Sequence, residues 1–404
     1  MLLAGCASYG VVDNRPDTDS SSEPTYSTDL VGQQGTGKIS LILSFSGGGT
    51  RAAALAYGVM LELRDTRVII DGAERSLLAE VDVISSVSGG SFTAAYYGLF
   101  GDELFEDFET VFLRRNVQSE LLAALFNPLR WFSSKGRTEI AIDLYQKVVF
   151  RNKTYADMRR HDSPLILINA SDLFFGVRFS FVQEYFDLLC SDLNSFPVAR
   201  AVAASSAVPV LFSPVMLENY SGCDADTAKL VMAAEAGAEG NPEMRDVVSG
   251  LRSYAEKEQR RYAHFVDGGI TDNLGLRAIH EIIEISGGAK VFVEKKLDRE
   301  PPRRLVVISV NASTDPEPEM DASNKQPSLK ETIGAMSDVQ LHRYNVATLE
   351  LIKKSTKRWA RDLSTPGRPV APYFIQVGFR DVRQPELLRF FNQVPTSFAL
   401  SDEQ

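Results

Sequence analysis

Apolar runs alternate with amphipathic stretches along most of this chain. Residues 39–45 and 81–86 are short apolar runs that end in glycine-rich turns, and each is followed by a stretch with helical periodicity. Later strand patterns cover residues 164–170, 178–182, 263–266, 304–310 and 373–379, and later helical patterns cover residues 196–207 and 329–354. Strands that alternate with helices predict an α/β layer fold with a largely parallel central sheet.

Two segments depart from this alternation. Residues 7–37 are rich in Ser, Gly, Asp and Thr and have almost no apolar periodicity, which predicts a flexible tether over residues 1–37. One domain is then expected over residues 38–404. Within it, residues 224–261 are dominated by Ala, Glu and Arg in a helical pattern, so we expect a helical excursion exposed on the domain surface.

Composition and charge restrict the possible partners. The 404 residues are 44% hydrophobic, which is typical of a globular chain, and the formal net charge is −10. An acidic surface repels the phosphate backbone, so no nucleic-acid partner is expected. No apolar run is long enough to span a bilayer. Contact with a membrane surface would therefore need a lipid anchor or a local apolar patch.

The chain has three cysteines, and they bear on its location and redox state. Cys6 follows Leu-Ala-Gly, which resembles the bacterial lipoprotein box, in which the cysteine is lipidated. Only Met1 to Gly5 precede it, so either the true start lies upstream or the match is accidental. Lipidation would predict a protein anchored in the bacterial cell envelope, on the periplasmic side of the outer membrane or on the surface. Cys190 and Cys223 would then form either a disulfide or two buried thiols.

The strongest local signal for chemistry is Ser88, directly after an apolar run. Ser86 and Gly90, two positions away on either side, are small, which suits a nucleophile on a sharp strand-to-helix turn. The helix N-terminus that follows favours a developing negative charge. The alternative is a Ser/Gly-rich turn that holds a phosphate.

Residues 46–51 form a second glycine-rich segment. Consecutive glycines let backbone N–H groups converge, so Gly47, Gly48 and Gly49 are expected to form an oxyanion hole. A phosphate loop is the alternative, but the spacing fits neither the dinucleotide-binding nor the P-loop pattern. Arg51 is expected to brace this loop, with contact to an anionic substrate as the other possibility.

Asp267 ends the apolar run at residues 263–266 and is followed by Gly268 and Gly269. A carboxylate on a tight turn whose approach is buried suits a general base. The alternative is an ordinary Asp-Gly turn on the surface, without a catalytic role.

Together these segments resemble the patatin-like phospholipase family. That family has a Gly-Gly-Gly-x-Arg segment, a Gly-x-Ser-x-Gly turn and an Asp-Gly-Gly segment, in this order. The chain matches at residues 47–51, at Ser88 with Gly90, and at Asp267 with Gly268.

Two further blocks extend the resemblance. Residues 203–209 look like the family's Ala-Ser-x-Ala-x-Pro block, and residues 395–398 look like the tail of bacterial lipoprotein members. The main departure is Ser86 in place of the first glycine of the serine turn. The resemblance implies a three-layer α/β/α sandwich and lipid acyl hydrolysis through a dyad of Ser88 and Asp267, without a histidine.

An aspartate is a weak base at its ordinary pKa near 4, so a Ser-Asp-His triad is the rival arrangement. Only His280 and His342 follow Asp267, and both fall in helical patterns. No His, Cys or Asp cluster has metal-ligand spacing, so neither a metal nor another cofactor is expected.

The sequence thus predicts an anchored serine hydrolase that acts on membrane lipid, either phospholipid or lysophospholipid. The alternative is a catalytically inactive lipid-binding or scaffold lipoprotein on the same fold. Loss of activity would predict damage at Ser88, Asp267 or the glycine loop, and all three are intact. The apolar and aromatic residues 121–132 are expected to be core, with an interfacial lid as the alternative.

Overall fold

The structure is a computed structural model that describes residues 10–17, 24–117, 119–120, 136–209, 211–223, 231–232, 234–235, 238, 241–315, 324 and 326–401. Three sequence predictions lie outside these residues: the lipidation of Cys6, the apolar stretch at residues 121–132, and the beginning of the helical excursion at residues 224–230.

Strands and helices alternate through the described chain. The strands are β1 Arg15–Pro16, β2 Ile39–Phe45, β3 Arg67–Ile70, β4 Ala73–Ser76, β5 Val81–Val87, β6 Leu165–Asp172, β7 Arg178–Ser180, β8 Ser191–Asp192, β9 Val215–Glu218, β10 Tyr262–Asp267, β11 Arg304–Asn311 and β12 Ala371–Gly378. The α-helices are α1 Gly49–Asp65, α2 Gly89–Phe100, α3 Leu104–Phe108, α4 Arg137–Leu144, α5 Tyr155–Met158, α6 Gln183–Leu188, α7 Val198–Ser205, α8 Pro242–Arg252, α9 Gly269–Asp272, α10 Leu276–Ile285, α11 Ala289–Val291, α12 Leu329–Leu363 and α13 Pro385–Gln393.

Short 3₁₀ and π turns join or extend these elements. The 3₁₀ turns are Thr28–Leu30, Leu77–Glu80, Gly101–Glu103, Ser253–Ala255 and Phe379–Asp381, and the π turns are Glu109–Leu113, Tyr145–Val149 and Phe292–Lys296.

One mixed sheet of eight strands forms the centre of the molecule, in the order β12-β11-β2-β5-β6-β10-β9, with β7 paired to β6. The strands from β12 to β6 are parallel to their neighbours. In contrast, β10, β9 and β7 pair in antiparallel fashion. Helices flank this sheet, which confirms the predicted α/β/α fold with a largely parallel sheet.

The two strands that lead to the candidate site are buried along their length. Every residue of β5 is buried, and so is every residue of β2 except Ser40. Strands covered on both faces read as continuous apolar runs. The carboxyl ends of β2 and β5 lie side by side, since Phe45 pairs with Ser86. The turns that follow these strands therefore meet at one edge of the sheet.

The described parts of the predicted tether pack against the domain. The buried Asn14 donates to the Ser191 hydroxyl at 2.7 Å, and the fully buried Tyr26 accepts a hydrogen bond from the Ile166 backbone N–H at 2.8 Å. The prediction of a flexible tether is thus wrong for residues 10–17 and 24–37. A few inserted anchors fix this polar segment, and such anchors leave no periodic signal.

The segment predicted as an exposed excursion contributes to the core. Within it, α8 buries Met244 and Leu251, and Tyr254 follows in a fully buried position. The predicted helix is present, and it packs one face against the domain while residues such as Glu243 and Asp246 are exposed. None of the described helices has the length and apolar character needed to cross a membrane.

Cys190 and Cys223 form a disulfide, with their Cα atoms 5.3 Å apart. This decides between the two alternatives that the sequence left open. The bond ties the segment after β9 to the turn between α6 and β8.

Candidate active site

Ser88 occupies the turn between β5 and α2. Its backbone has φ 50° and ψ −120°, a region that residues other than glycine rarely adopt. The glycines that follow permit close packing: a Cβ on Gly89 would lie 1.9 Å from the Gly49 carbonyl oxygen, and one on Gly90 would lie 2.7 Å from the Phe45 Cβ. The strained serine at the first turn of a helix is the geometry of a nucleophile elbow.

Ser86, the departure from the glycine pattern, is accommodated without disturbing this turn. The residue is fully buried, and its hydroxyl donates to the Leu167 carbonyl oxygen at 3.0 Å. A satisfied hydroxyl has no desolvation cost of the kind that an unpaired one would have. The larger residue is therefore compatible with the strained turn at Ser88.

The sheet brings Asp267 to the nucleophile. Asp267 pairs with Ala170 on β6, and the adjacent Asn169 pairs with Val87, the last residue before Ser88. The Ser88 side chain lies close enough to the Asp267 carboxyl to act on its pKa in the lowering direction. Its Oδ1 also accepts the Gly269 N–H at 2.7 Å.

Burial raises the pKa of Asp267 to about 6, while the hydrogen bonds from the Gly269 backbone and the Ser88 side chain act in the lowering direction. A buried carboxylate is a stronger base than a solvated one, because desolvation disfavours its charged form. At neutral pH this group is still largely ionised. Its pKa therefore suits general-base chemistry better than the ordinary value of about 4.

The glycine loop lies directly beside Ser88. A Cβ on Gly47 would be 3.4 Å from the Ser88 Cβ, but the Gly47 N–H already donates to the Asn273 carbonyl oxygen at 2.9 Å. The prediction that Gly47 supplies an oxyanion donor is therefore wrong for this structure. Gly48 and Gly49 have φ values of 139° and 63°, and their N–H groups remain the candidate donors.

Arg51 holds the C-terminal segment against this loop. Its buried guanidinium donates to the Val394 carbonyl oxygen and, at 3.0 Å, to the Thr396 hydroxyl. Thr50 adds a backbone hydrogen bond to the Ser397 carbonyl oxygen at 2.8 Å. These contacts hold residues 394–397 beside the glycine loop.

Ser205 and Asn169 support the site and were not predicted individually. The Ser88 N–H donates to the Ser205 hydroxyl at 2.9 Å, and that hydroxyl donates to the Asn169 carbonyl oxygen at 2.6 Å. The Gly268 N–H donates to the Ser205 carbonyl oxygen at 3.0 Å, and a Cβ on Gly268 would be 2.3 Å from the Asn169 carbonyl oxygen. Ser205 falls in the block at residues 203–209, whereas Asn169 gave no sequence signal.

The contacts described for His280 involve residues other than Ser88 and Asp267. His280 is buried against Trp359, with its Nδ1 3.3 Å from the Ser355 hydroxyl, and burial lowers its pKa to about 4. His342 lies within the long helix α12. Neither geometry supplies the relay that a triad requires. Among the described residues, no group of three or more His, Cys, Asp or Glu side chains is arranged to hold a metal ion.

The mixed sheet and the strained serine turn place this protein among α/β proteins with a nucleophile elbow. The model of the patatin-like phospholipase family matches residues 43–280, and the chain belongs to this family. Membership supports lipid acyl hydrolase activity in general. No curated protein matches the chain in sequence.

Solved structures show only distant similarity. Human GIVD cytosolic phospholipase A2 is 14% identical over 73% of this chain and 50% of its own, with a TM-score of 0.34. The same enzyme with a methyl γ-linolenyl fluorophosphonate inhibitor and terbium chloride gives 14% identity over 73% and 46%, with a TM-score of 0.33. VipD from Legionella pneumophila is 12% identical over 88% and 65%, with a TM-score of 0.30. The match thus spans about half of the phospholipase A2 chains.

Proposed function

We propose that this protein is a serine acyl hydrolase that cleaves ester bonds of phospholipids or lysophospholipids, with Ser88 as nucleophile and Asp267 as base. The observation that carries the proposal is the position of the buried Asp267 carboxyl beside the strained Ser88 turn, where the Ser88 side chain acts on its pKa. No histidine is needed in this arrangement, because the carboxylate reaches the hydroxyl directly.

The reaction follows from these positions. Asp267 accepts the Ser88 proton as the hydroxyl oxygen attacks the ester carbonyl. The N–H groups of Gly48 and Gly49 and the N-terminus of α2 stabilise the tetrahedral oxyanion. When the intermediate collapses, the leaving alcohol takes the proton from Asp267. Water then attacks the acyl-enzyme with Asp267 again as base, and the fatty acid leaves as Ser88 regains its proton.

An apolar surface near the site supports a lipid substrate. The turn after β6 exposes Leu173, Phe174 and Phe175, and the Phe174 side chain is 85% exposed. Ile270 and Leu211 are also exposed, and they follow Asp267 and the block at residues 203–209 closely in sequence. We define these five side chains as the apolar rim. Clustered apolar side chains on a protein surface favour contact with a lipid interface.

The turn that carries Phe174 is held in shape. Asp172 Oδ1 accepts the N–H groups of Phe174 and Phe175 at 3.0 and 2.9 Å. The Arg260 guanidinium pairs with Asp172 and lies 4.8 Å from the centre of the Phe175 ring. Because the turn is already ordered, placing its aromatic rings in a lipid interface requires little further loss of entropy.

The location of the protein is part of the same proposal. A lipid on Cys6 would keep the domain at a membrane, where its substrate is found. The disulfide between Cys190 and Cys223 supports an oxidising compartment such as the bacterial cell envelope. The acidic net charge leaves the lipid anchor and the apolar rim as the means of attachment.

A serine-directed fluorophosphonate probe and two substrates, a soluble short-chain ester and phospholipid vesicles, test the proposal. Ser88→Ala should abolish probe labelling and both hydrolyses. Ser206→Ala is the control, because that hydroxyl donates to the Val202 carbonyl oxygen at 2.8 Å and to the Ala203 carbonyl oxygen at 3.5 Å, both in the preceding helix α7. Undiminished labelling of folded Ser88→Ala would refute the nucleophile. An unlabelled, inactive wild type would instead favour the lipid-binding alternative.

The same assays test the lipid interface. Phe174→Ser should lower vesicle hydrolysis by roughly tenfold or more, since a phenylalanine side chain loses its apolar burial, and should leave the soluble ester unaffected. Ile69→Ser is the matched control, as Ile69 is also highly exposed but lies on β3, beyond the far end of α1. Equal vesicle activity in Phe174→Ser and Ile69→Ser would exclude the rim.

A further inference from the structure

A second apolar site lies at the amino ends of the parallel strands, away from the Ser88 turn. This cavity is bounded by β2 and β5, through Ile42 and Val83, and by the helices α10 and α12, through Ile283 and Trp359. From Val83 to Ser88 the chain runs along β5, which at about 3.3 Å per residue separates the two sites by roughly 17 Å. The cavity is therefore distinct from the candidate active site.

The cavity lies against one face of the sheet. Ile42 and Val83 each keep 6% of their surface exposed, whereas the next residues along the same strands, Leu43 and Ile84, are 0% exposed. Successive side chains of a strand point to opposite faces. The face that borders the cavity is thus the one toward α10 and α12.

The size and lining of the cavity favour a hydrocarbon. The space open to the centre of a water molecule is about 80 Å³. At about 10–15 Å³ for each water, this space would hold ~6 water molecules. Water needs several polar partners, and the walls offer mostly aliphatic and aromatic groups, so an acyl chain of medium length is the better occupant.

Polar groups are found among the lining residues of the strand ends and the neighbouring loops. They are Thr28, Ser40, Asp82, Arg299 and Glu300. Glu300 is paired with Arg368, and Arg299 donates to the Gly32 carbonyl oxygen of the N-terminal segment. Burial raises the pKa of Asp82 to about 7, so near neutral pH this carboxyl is partly uncharged. A guanidinium beside a partly neutral carboxyl can bind a carboxylate.

We propose that this cavity binds a medium-length fatty acid, with its hydrocarbon chain between the sheet and helices α10 and α12 and its carboxylate at Arg299. The identity of the ligand rests on the proposed function, which releases fatty acids. The cavity itself does not depend on that activity. The segment at residues 24–37, expected from the sequence to be a tether, forms one wall of this site.

Tryptophan fluorescence gives a local test. The chain has two tryptophans, so Trp131→Phe leaves Trp359 as the single reporter, on the wall of the cavity. Adding Ser88→Ala excludes turnover. Octanoate brominated at its terminal carbon should then quench Trp359 in a saturable manner, whereas unbrominated octanoate should displace it. Because this background is inactive, the binding measurement does not depend on hydrolysis by Ser88. A failure of binding would leave the proposed function intact, and a failure of hydrolysis in the wild type would leave the binding result intact.

Two variants that fill the cavity complete the test. Ile283→Phe and Ala289→Leu each add volume at a lining position, and each should weaken quenching by roughly tenfold or more. Ile69→Phe, on the exposed strand β3, should bind as the background does. Circular dichroism identifies the variants that fold, and either folded variant suffices. Absence of saturable quenching in the background, or unchanged affinity in a folded filling variant, would overturn the proposal.

Discussion

At the scale of single residues, the site depends on one strained serine and one buried carboxylate. Ser88 and Asp267 could be predicted from the sequence, because each follows an apolar strand and is bordered by glycine. Ser205 and Asn273 act through hydrogen bonds to the Ser88 and Gly47 backbones, and such partners depend on contacts between distant segments. The sequence did not reveal that the Gly47 N–H is already used for the same reason, since its acceptor, the Asn273 carbonyl oxygen, belongs to a distant segment.

Replacing Asp267 tests the direct use of a carboxylate as base. Asp267→Asn keeps the shape of the side chain but removes its basicity, so turnover should fall by several orders of magnitude, as with loss of any member of a coupled catalytic unit. His280→Ala and His342→Ala should stay within a few-fold of wild type. The measurement is turnover of a short-chain ester, with circular dichroism as the test of folding. A folded histidine variant without activity would require a triad.

The pH dependence of turnover follows from the same carboxyl. Its pKa is raised to about 6, and only the ionised form accepts the Ser88 proton, so activity should rise with pH through about 6 and reach about one tenth of its plateau near pH 5. Asp272 is the control, because burial raises its pKa to about 7 while its oxygens accept backbone N–H groups of α10. Asp272→Asn should leave the acid limb in place, and a limb that moved with this variant would assign it to Asp272.

At the scale of elements, the turns after β2 and β5 place two helix N-termini at one edge of the sheet. The helix α1 begins at Gly49 and α2 begins at Gly89, and these two positions are in close contact, so both positive helix ends lie beside the Ser88 turn. This arrangement could be predicted from the sequence, because strand, glycines and helix follow one another in a short stretch. The antiparallel strands β9 and β10 gave no comparable signal for their direction.

Two glycine-to-alanine variants, one directly before α1 and one within it, separate the catalytic role of the glycine loop from its role in packing. Gly48 has φ 139°, so Gly48→Ala should displace the backbone donors and lower turnover on the order of 10²-fold. Gly58→Ala, in the middle of α1 with open space around its Cα, should keep activity and raise stability by about 1 kcal/mol. Turnover and the free energy of unfolding are measured for both. Full activity in Gly48→Ala would show that this loop does not contribute to catalysis.

At the scale of the whole molecule, the parallel half of the sheet was the predictable half. Strands buried on both faces require continuous apolar runs, which are visible in any sequence, whereas the docking of residues 10–17 and 24–37 depends on a few side chains such as Tyr26. The disulfide was left open for a related reason, because spacing alone does not reveal whether two thiols approach each other. Long-range contacts thus determine how residues 10–17 and 24–37 pack against the domain, and this packing also forms one wall of the second cavity.

Removal of the disulfide tests how much this long-range contact contributes to the free energy of unfolding. The bond joins cysteines that are 33 residues apart, and the loop-entropy relation gives a stabilisation of about 3–4 kcal/mol for a loop of this length. The double variant Cys190→Ser with Cys223→Ser should therefore unfold at a lower denaturant concentration and with a steeper slope, because the unfolded chain is no longer cross-linked and exposes more surface. Its hydrolysis of the short-chain ester should persist in the folded state, because neither cysteine contributes to the Ser88 turn. Equal stability of the oxidised wild type and the double variant would show that the hydrogen bonds of β1 and β8 already close this part of the domain.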